Sequence, residues 1–261
     1  MSSGLDLPAT APFVTSLRVD WDDVDDDRVY PYSIPALKEL PRIEFTAPVV
    51  FFVGANGSGK STLLEALAVH QGLNPEGGSQ NMMFETRPGT VSDLHDKLTV
   101  ERSGKPRTRF FLRAESYFNV ATKLEDYFED EAAELKRTYG GTPHEWSHGE
   151  SFLKLIQNRF FPGGLFFLDE PEAALSVQGE LSMLRLLLDQ VRAGSQFFIA
   201  THSPILTAFP GAQILQFDDD GISTADWDAV ESVSLTKMFL ADPERFLRQL
   251  EDDTSSEPTA N

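Results

Sequence analysis

Short, unbroken apolar runs alternate along this chain with amphipathic stretches. Val49 to Val53, Leu165 to Leu168 and Phe197 to Ala200 are apolar without interruption. Runs of this length are what strands buried on both faces of a mixed or parallel sheet present. The opening segment PFVTSLRVDW instead alternates apolar and polar residues, which predicts an edge strand, and RIEFT followed by PVVFFVG predicts a strand pair entering a core. LLEALAVHQG places Leu63, Leu64, Ala66, Leu67 and Val69 at helical spacing and predicts a helix with one strong apolar face.

Further along, Asn74 to Gly89 is rich in Gly, Pro, Asn and Ser and predicts an irregular loop. KLTVERSGKPRTRFFLRAES predicts a hairpin turning at Ser103 to Pro106. ATKLEDYFEDEAAELKRTYGG predicts a helix ending at Gly140, the core of a small helical subdomain over about 117–160. GESFLKLIQNRF reads as a short helix. SVQGELSMLRLLLDQVRAG reads as an amphipathic helix capped by Ser176. AQILQFD is a fourth short strand, and two terminal helices follow around Leu235–Leu240 and Pro243–Leu250. Strand, helix and strand at this rhythm imply parallel crossovers, hence an α/β class built on a mixed central sheet flanked by helices. The expected organisation is one domain over 1–251 and a polar, disordered tail over 252–261; no internal repeat is visible.

Composition narrows the function classes. At 261 residues, with 41% hydrophobic and 24% charged, the chain can bury a full core. It has no cysteine, which excludes disulfides and thiolate-bound zinc and suits a reducing cytoplasm. The N-terminus lacks a basic stretch followed by an apolar one, and no run approaches the roughly 18 apolar residues of a membrane helix. The expectation is a soluble, cytoplasmic protein. A net charge of −19 repels phosphate backbones over most of the surface, so nucleic acid would need a local patch. Lys97, Arg102, Lys105, Arg107, Arg109 and Arg113 form one candidate, whose plainer reading is a solvated hairpin face.

The chemistry concentrates in three places. Gly54, Ala55, Asn56, Gly57, Ser58, Gly59, Lys60, Ser61 and Thr62 spell a phosphate-binding loop between an apolar strand and a helix. Glycines let backbone N–H groups wrap phosphates without Cβ clashes, and the helix N-terminus adds partial positive charge. Lys60 is suited to bridge terminal phosphates, Ser61 to ligate Mg²⁺ and Thr62 to reach the α-phosphate. The alternative is a glycine-rich turn with no ligand. Asp169 and Glu170 end the apolar strand Leu165–Leu168, where open α/β sheets gather their ligands. Asp169 is the expected Mg²⁺ partner and Glu170 the residue that polarises an attacking water. Thr201 and His202 end the next apolar strand, from which His202 can point at a γ-phosphate, although a lone histidine is more often structural.

GANGSGKST, SHGES, FFLDEPEAALS and ATHSP, in this order, resemble the ABC-type P-loop ATPases over roughly residues 40–218. Within that superfamily the chain is similar to stand-alone bacterial ATPases related to chromosome-maintenance and recombination-repair heads. The resemblance implies ATP and Mg²⁺ as cofactors, Glu170 and His202 as catalytic residues, and an ATP-sandwiched homodimer. In such a dimer Ser147, His148, Gly149 and Glu150 form a signature that meets the γ-phosphate bound by the partner subunit. SHGE also reads simply as a capping box, Ser147 with Glu150.

Four features depart from the superfamily pattern. His148 stands where glycine is usual, Glu150 where glutamine is usual and Ser176 where aspartate is usual. A coupling glutamine is missing, its best positional substitutes being Glu115 and Ser116. Tyr30 could stack on adenine, the plainer reading being a packed loop tyrosine. The implied role is a soluble ATPase in DNA repair or defence, with a nuclease, a toxin or DNA as candidate partner. The alternatives are the ATP-binding subunit of a transporter whose membrane protein is separately encoded, and an ATP-gated scaffold with little turnover.

Overall fold

The computed structural model describes residues 7–8, 11–75, 77–79, 92–114 and 148–248. Its centre is a seven-stranded mixed sheet containing β3 (Val49–Gly54), β4 (Gly78–Ser79), β6 (Thr108–Arg113), β7 (Gly164–Asp169), β8 (Gln196–Ala200), β9 (Gln213–Asp218) and β10 (Gly221–Thr224). Their spatial order is β10-β9-β3-β8-β7-β6-β4. The five inner strands run parallel, and the flanking β10 and β4 are antiparallel. A second sheet has the order β2-β1-β5, from β1 (Val14–Val19), β2 (Ile43–Glu44) and β5 (Leu98–Arg102).

The expected class, a mixed central sheet flanked by helices, is what the chain adopts, and the unbroken apolar runs are its central strands. Phe166 pairs in register with Phe197 and Phe167 with Phe198. Because side chains alternate faces, this double run sends phenylalanines to both sides of the sheet. On one side Phe52, Phe167 and Phe198 pack with Leu63, Leu64 and Leu67 of α1 (Lys60–His70) and with the smaller sheet. On the other, Phe51, Phe166 and Phe197 pack with Phe152 and Ile156 of α2 (His148–Arg159) and with Met183, Leu187 and Val191 of α3 (Val177–Arg192). Ring centroids lie 5.0 Å apart for Phe166–Phe197 and 5.5 Å for Phe167–Phe198, within aromatic contact range.

Four local expectations are corrected. The first segment is no edge strand, since β1 lies between β2 and β5. Gln196 ties it to the large sheet: its buried side chain accepts from the N–H groups of Phe13 and Val14 and donates to the Val14 carbonyl. RIEFT and PVVFFVG do not pair, because β2 joins β1 while β3 lies between β8 and β9. The hairpin at Ser103–Pro106 does not form either: β5 pairs with β1 and β6 with β7, so that link passes from one sheet to the other. Finally, α1 is buried on more than one apolar stripe, with Leu63, Leu64, Ala66, Leu67 and Ala68 all inaccessible, because it is held between the two sheets.

Ser176 caps α3 as expected, its hydroxyl accepting from the Gly179 N–H at 3.2 Å. The terminal helix α4 spans Glu231–Ala241, and residues 243–248 are helical. No helix among the described residues is long and apolar enough to cross a membrane. Most of the Asn74–Gly89 stretch, the helix predicted to end at Gly140, and the tail lie outside the described residues.

Candidate functional site

Three parallel strands deliver the chemistry to one edge of the sheet. β3 ends at Gly54, β7 at Asp169 and β8 at Ala200, and β8 lies between the other two. The loop from Ala55 to Gly59 then turns into α1, whose first residue is Lys60. The helix N-terminus is thereby aimed across the carboxyl ends of the strands, where anions are favoured.

The strand order brings the distant motifs together. The Ser61 hydroxyl donates to Asp169 Oδ1 at 2.7 Å, across 108 positions of sequence. The Glu170 N–H donates to the Ala200 carbonyl at 2.9 Å, and the Thr201 N–H donates to the Phe52 carbonyl at 3.1 Å. His202 Nε2 lies 3.7 Å from Glu170 Oε1, too far for a hydrogen bond. Glu170 is one of two non-glycine residues with positive φ among the described residues, at 49°. A left-handed residue of this kind costs on the order of 1 kcal/mol. Its side chain is 38% exposed, whereas the neighbouring carboxylate of Asp169 is nearly buried, at 8%.

Lys60 donates to the Gly54 and Ala55 carbonyls at 3.0 and 2.7 Å. Burial draws its pKa down, while the charges of Glu170, Asp169 and Glu172 pull the other way. His202 is held below the usual histidine range, first by burial and then by the Lys60 charge, with Glu170 opposing. It is therefore neutral at pH 7.

The residues present suit a Mg²⁺–nucleotide. The imidazole Nε2 of His202 and the hydroxyl of Ser58 are buried without a hydrogen-bond partner among the described residues. Gly57, with φ of 78°, has open space where a Cβ would stand, so its backbone is approachable. Ser61 and Asp169 offer one hydroxyl and one carboxylate, the sparse protein donor set that Mg²⁺ uses when phosphates complete its shell. A cleft of about 250 Å³ is lined by Asn56, Gly57, Gly59, Lys60, Ser61, Thr62, Glu170, Ile34 and Tyr30.

Tyr30 is not the packed loop residue expected. It is 63% exposed, with its hydroxyl 3.3 Å from Thr62 Oγ1. The signature residues divide: Ser147 lies outside the described residues, as do Glu115 and Ser116, while His148, Gly149 and Glu150 form the first turn of α2. The candidate basic patch is also dispersed. Arg102, Lys105 and Arg107 are exposed, but Arg109 donates to the Gln71 carbonyl and Arg113 faces the carboxylate site.

Two features escaped the motif reading. Glu172 accepts from the His202 N–H at 2.6 Å and so holds the loop after β8. Its position as a third acid two residues after Glu170 was the available signal. Arg113, the last residue of β6, is the parallel register partner of Asp169 and pairs with it. A cation ending an apolar strand beside an acid-ended strand was the available signal there.

This geometry is that of a P-loop, a glycine-rich turn between strand and helix set beside an acid-ended strand. Residues 33–133, which include the loop with its strand and helix, match the family model described as an AAA domain. No curated protein matches the chain. Among solved structures, it aligns with the SMC head domain from Thermotoga maritima at 14% identity, covering 81% of this chain and 98% of that one, with a TM-score of 0.44. It also aligns with cbiO1 from Clostridium perfringens, part of the ABC transporter complex cbiONQ, at 17% identity, 81% and 90% coverage and a TM-score of 0.44. A third is an inward-facing putative metal-chelate type ABC transporter, at 18% identity, 73% and 77% coverage and a TM-score of 0.44.

Proposed function

We propose that the chain is an ATP-hydrolysing enzyme that works as an ATP-sandwiched homodimer. The observation that carries this reading is the 2.7 Å hydrogen bond from Ser61 to Asp169, which joins the phosphate loop to the acid-bearing strand and leaves Glu170 beside them.

In this reading ATP with Mg²⁺ supplies a transferable γ-phosphoryl group. Backbone N–H groups of residues 55–61 and the ammonium of Lys60 hold its phosphates, and Lys60 exchanges its two carbonyl partners for them. Ser61 and Asp169 would hold the cation, which would neutralise charge on the phosphates. Glu170, partly exposed and fixed by its bent backbone, orients the attacking water and takes its proton. Neutral His202 donates from Nε2 to the γ-phosphate, held in place through its own N–H by Glu172. Stabilisation of developing charge by such preplaced groups is the main catalytic device in this chemistry.

In the sandwich the partner subunit provides the second wall of the phosphate site, as the sequence resemblance implies. Ser147, His148, Gly149 and Glu150 are assigned to that wall, at the N-terminal end of α2, where anions are favoured. A cytoplasmic clamp in DNA repair or defence, acting with a nuclease or toxin, fits the charge and the dispersed basic residues better than direct DNA contact.

Glu170→Gln tests this reading. With ATP and Mg²⁺ the variant should elute as a dimer in gel filtration and release phosphate no faster than Lys60→Ala. A monomeric elution position at saturating ATP would remove the sandwich model.

A further inference from the structure

The carboxylate assigned to the cation already has a cation. Arg113 Nε lies 3.4 Å from Asp169 Oδ2, while its NH1 donates to Glu65 Oε2 on α1 at 2.5 Å and reaches the Pro75 carbonyl at 3.5 Å. These side chains are substantially buried, at 25% exposure for Arg113, 13% for Glu65 and 8% for Asp169, so their charges are weakly screened. The guanidinium thus joins three elements, α1, β6 and β7. It also lines a small cavity of about 70 Å³ shared with Ser61, Ala114, Asp169 and Glu170. That volume has room for a cation with about one water, a water occupying about 30 Å³.

The two ion pairs are unequal. Glu65 has the short contact and Asp169 the long one, so Arg113 is tethered to the helix and leans on the strand. A fixed positive charge there opposes any second cation approaching Asp169, because unit charges a few ångströms apart interact strongly where water is scarce. The triphosphate of a nucleotide brings enough negative charge to reverse that balance, whereas free Mg²⁺ brings none.

We propose that Arg113 is a positioning residue that acts as the resident counter-ion of Asp169, closing the cation position to free divalent metal and leaving it open to metal that arrives with a nucleotide. This rests on the assignment of Asp169 to the cation. Loading of metal and nucleotide is then a single event, and the site is not filled by metal alone. The tether to Glu65 keeps the guanidinium from collapsing onto Asp169 and blocking the position altogether.

Mn²⁺ is the probe, followed by its electron paramagnetic resonance signal on the full chain. With a non-hydrolysable ATP analogue, wild type should bind Mn²⁺, and absence of binding there would refute the Asp169 assignment itself. Without nucleotide, Arg113→Gln should bind Mn²⁺ at least about tenfold more tightly than wild type, and Arg113→Lys, which keeps the charge, should stay near wild type. Glu65→Gln should bind it no more tightly than wild type, since the freed guanidinium moves toward Asp169. This second variant keeps the test decisive if Arg113→Gln does not fold. Unchanged or weaker Mn²⁺ binding in Arg113→Gln, or tighter binding in Glu65→Gln, would overturn the counter-ion role and leave a merely structural ion pair.

Discussion

Glu172 follows Glu170 by two residues, yet its surroundings are different. Its carboxylate accepts from the His202 N–H, but burial dominates and raises its pKa above the ordinary 4.5. In the unfolded chain it titrates at the ordinary value, so between that value and the raised one the folded state holds more protons. The associated stability is present below pH 4.5 and is lost as pH rises through the folded-state value. Glu172→Gln keeps an acceptor for His202 and removes the titration. Melting temperatures measured from pH 4 to pH 8 should therefore shift in favour of the variant as pH rises, and a parallel pair of curves would contradict this. Glu170 makes the complementary point: a left-handed glutamate at the end of a strand is local strain held beside Asp169, at the candidate site.

The turn from β3 into α1 depends on glycines for two separate reasons. Gly54 has φ of 143°, and a Cβ there would stand 2.3 Å from the Phe217 carbonyl oxygen on the neighbouring strand β9. Both the backbone conformation and the clash oppose any side chain. Gly54→Ala should lose roughly 3 kcal/mol in urea unfolding. Gly57 is left-handed but meets nothing within 4 Å, so Gly57→Ala should cost only about 1 kcal/mol. Equal losses would show that the close approach of β9 is not what Gly54 serves. Two helices along, α3 begins at the Ser176 cap and presents Met183, Leu187 and Val191 to the sheet, so the residue that departs from the usual aspartate has a clear local duty.

Across the whole molecule, the sheet is buried on both faces, and one edge of it carries the site. α1 and the small sheet cover one face, and α2 and α3 the other. The first turn of α2 begins at His148, within the residues assigned to the partner's phosphates. If each dimer site takes its loop from one chain and its signature from the other, two different inactive variants should complement. Lys60→Ala and Ser147→Arg, each silent alone, should regain part of the wild-type phosphate release when mixed, because the mixed dimer rebuilds one intact site. Silence of the mixture despite verified dimers would mean that both halves come from the same chain.

The unbroken apolar runs, the glycine spacing before Lys60 and the acids after Leu168 were enough to name the central strands and the residues on their ends. Burial on both faces and phosphate wrapping each demand particular side chains at particular spacings, so both leave a local record. Which strand pairs with which leaves much less, because ladder hydrogen bonds are made by backbone that every residue carries. Hence the Ser103–Pro106 link read as a hairpin although it passes between sheets, and β1 read as an edge although Gln196 ties it inward. The same long-range pairing placed β8 between β3 and β7 and set Arg113 beside Asp169. The chain's own letters determined the candidate site residues; only the packed sheet decided their neighbours, because electrostatic partners are chosen by distance in space.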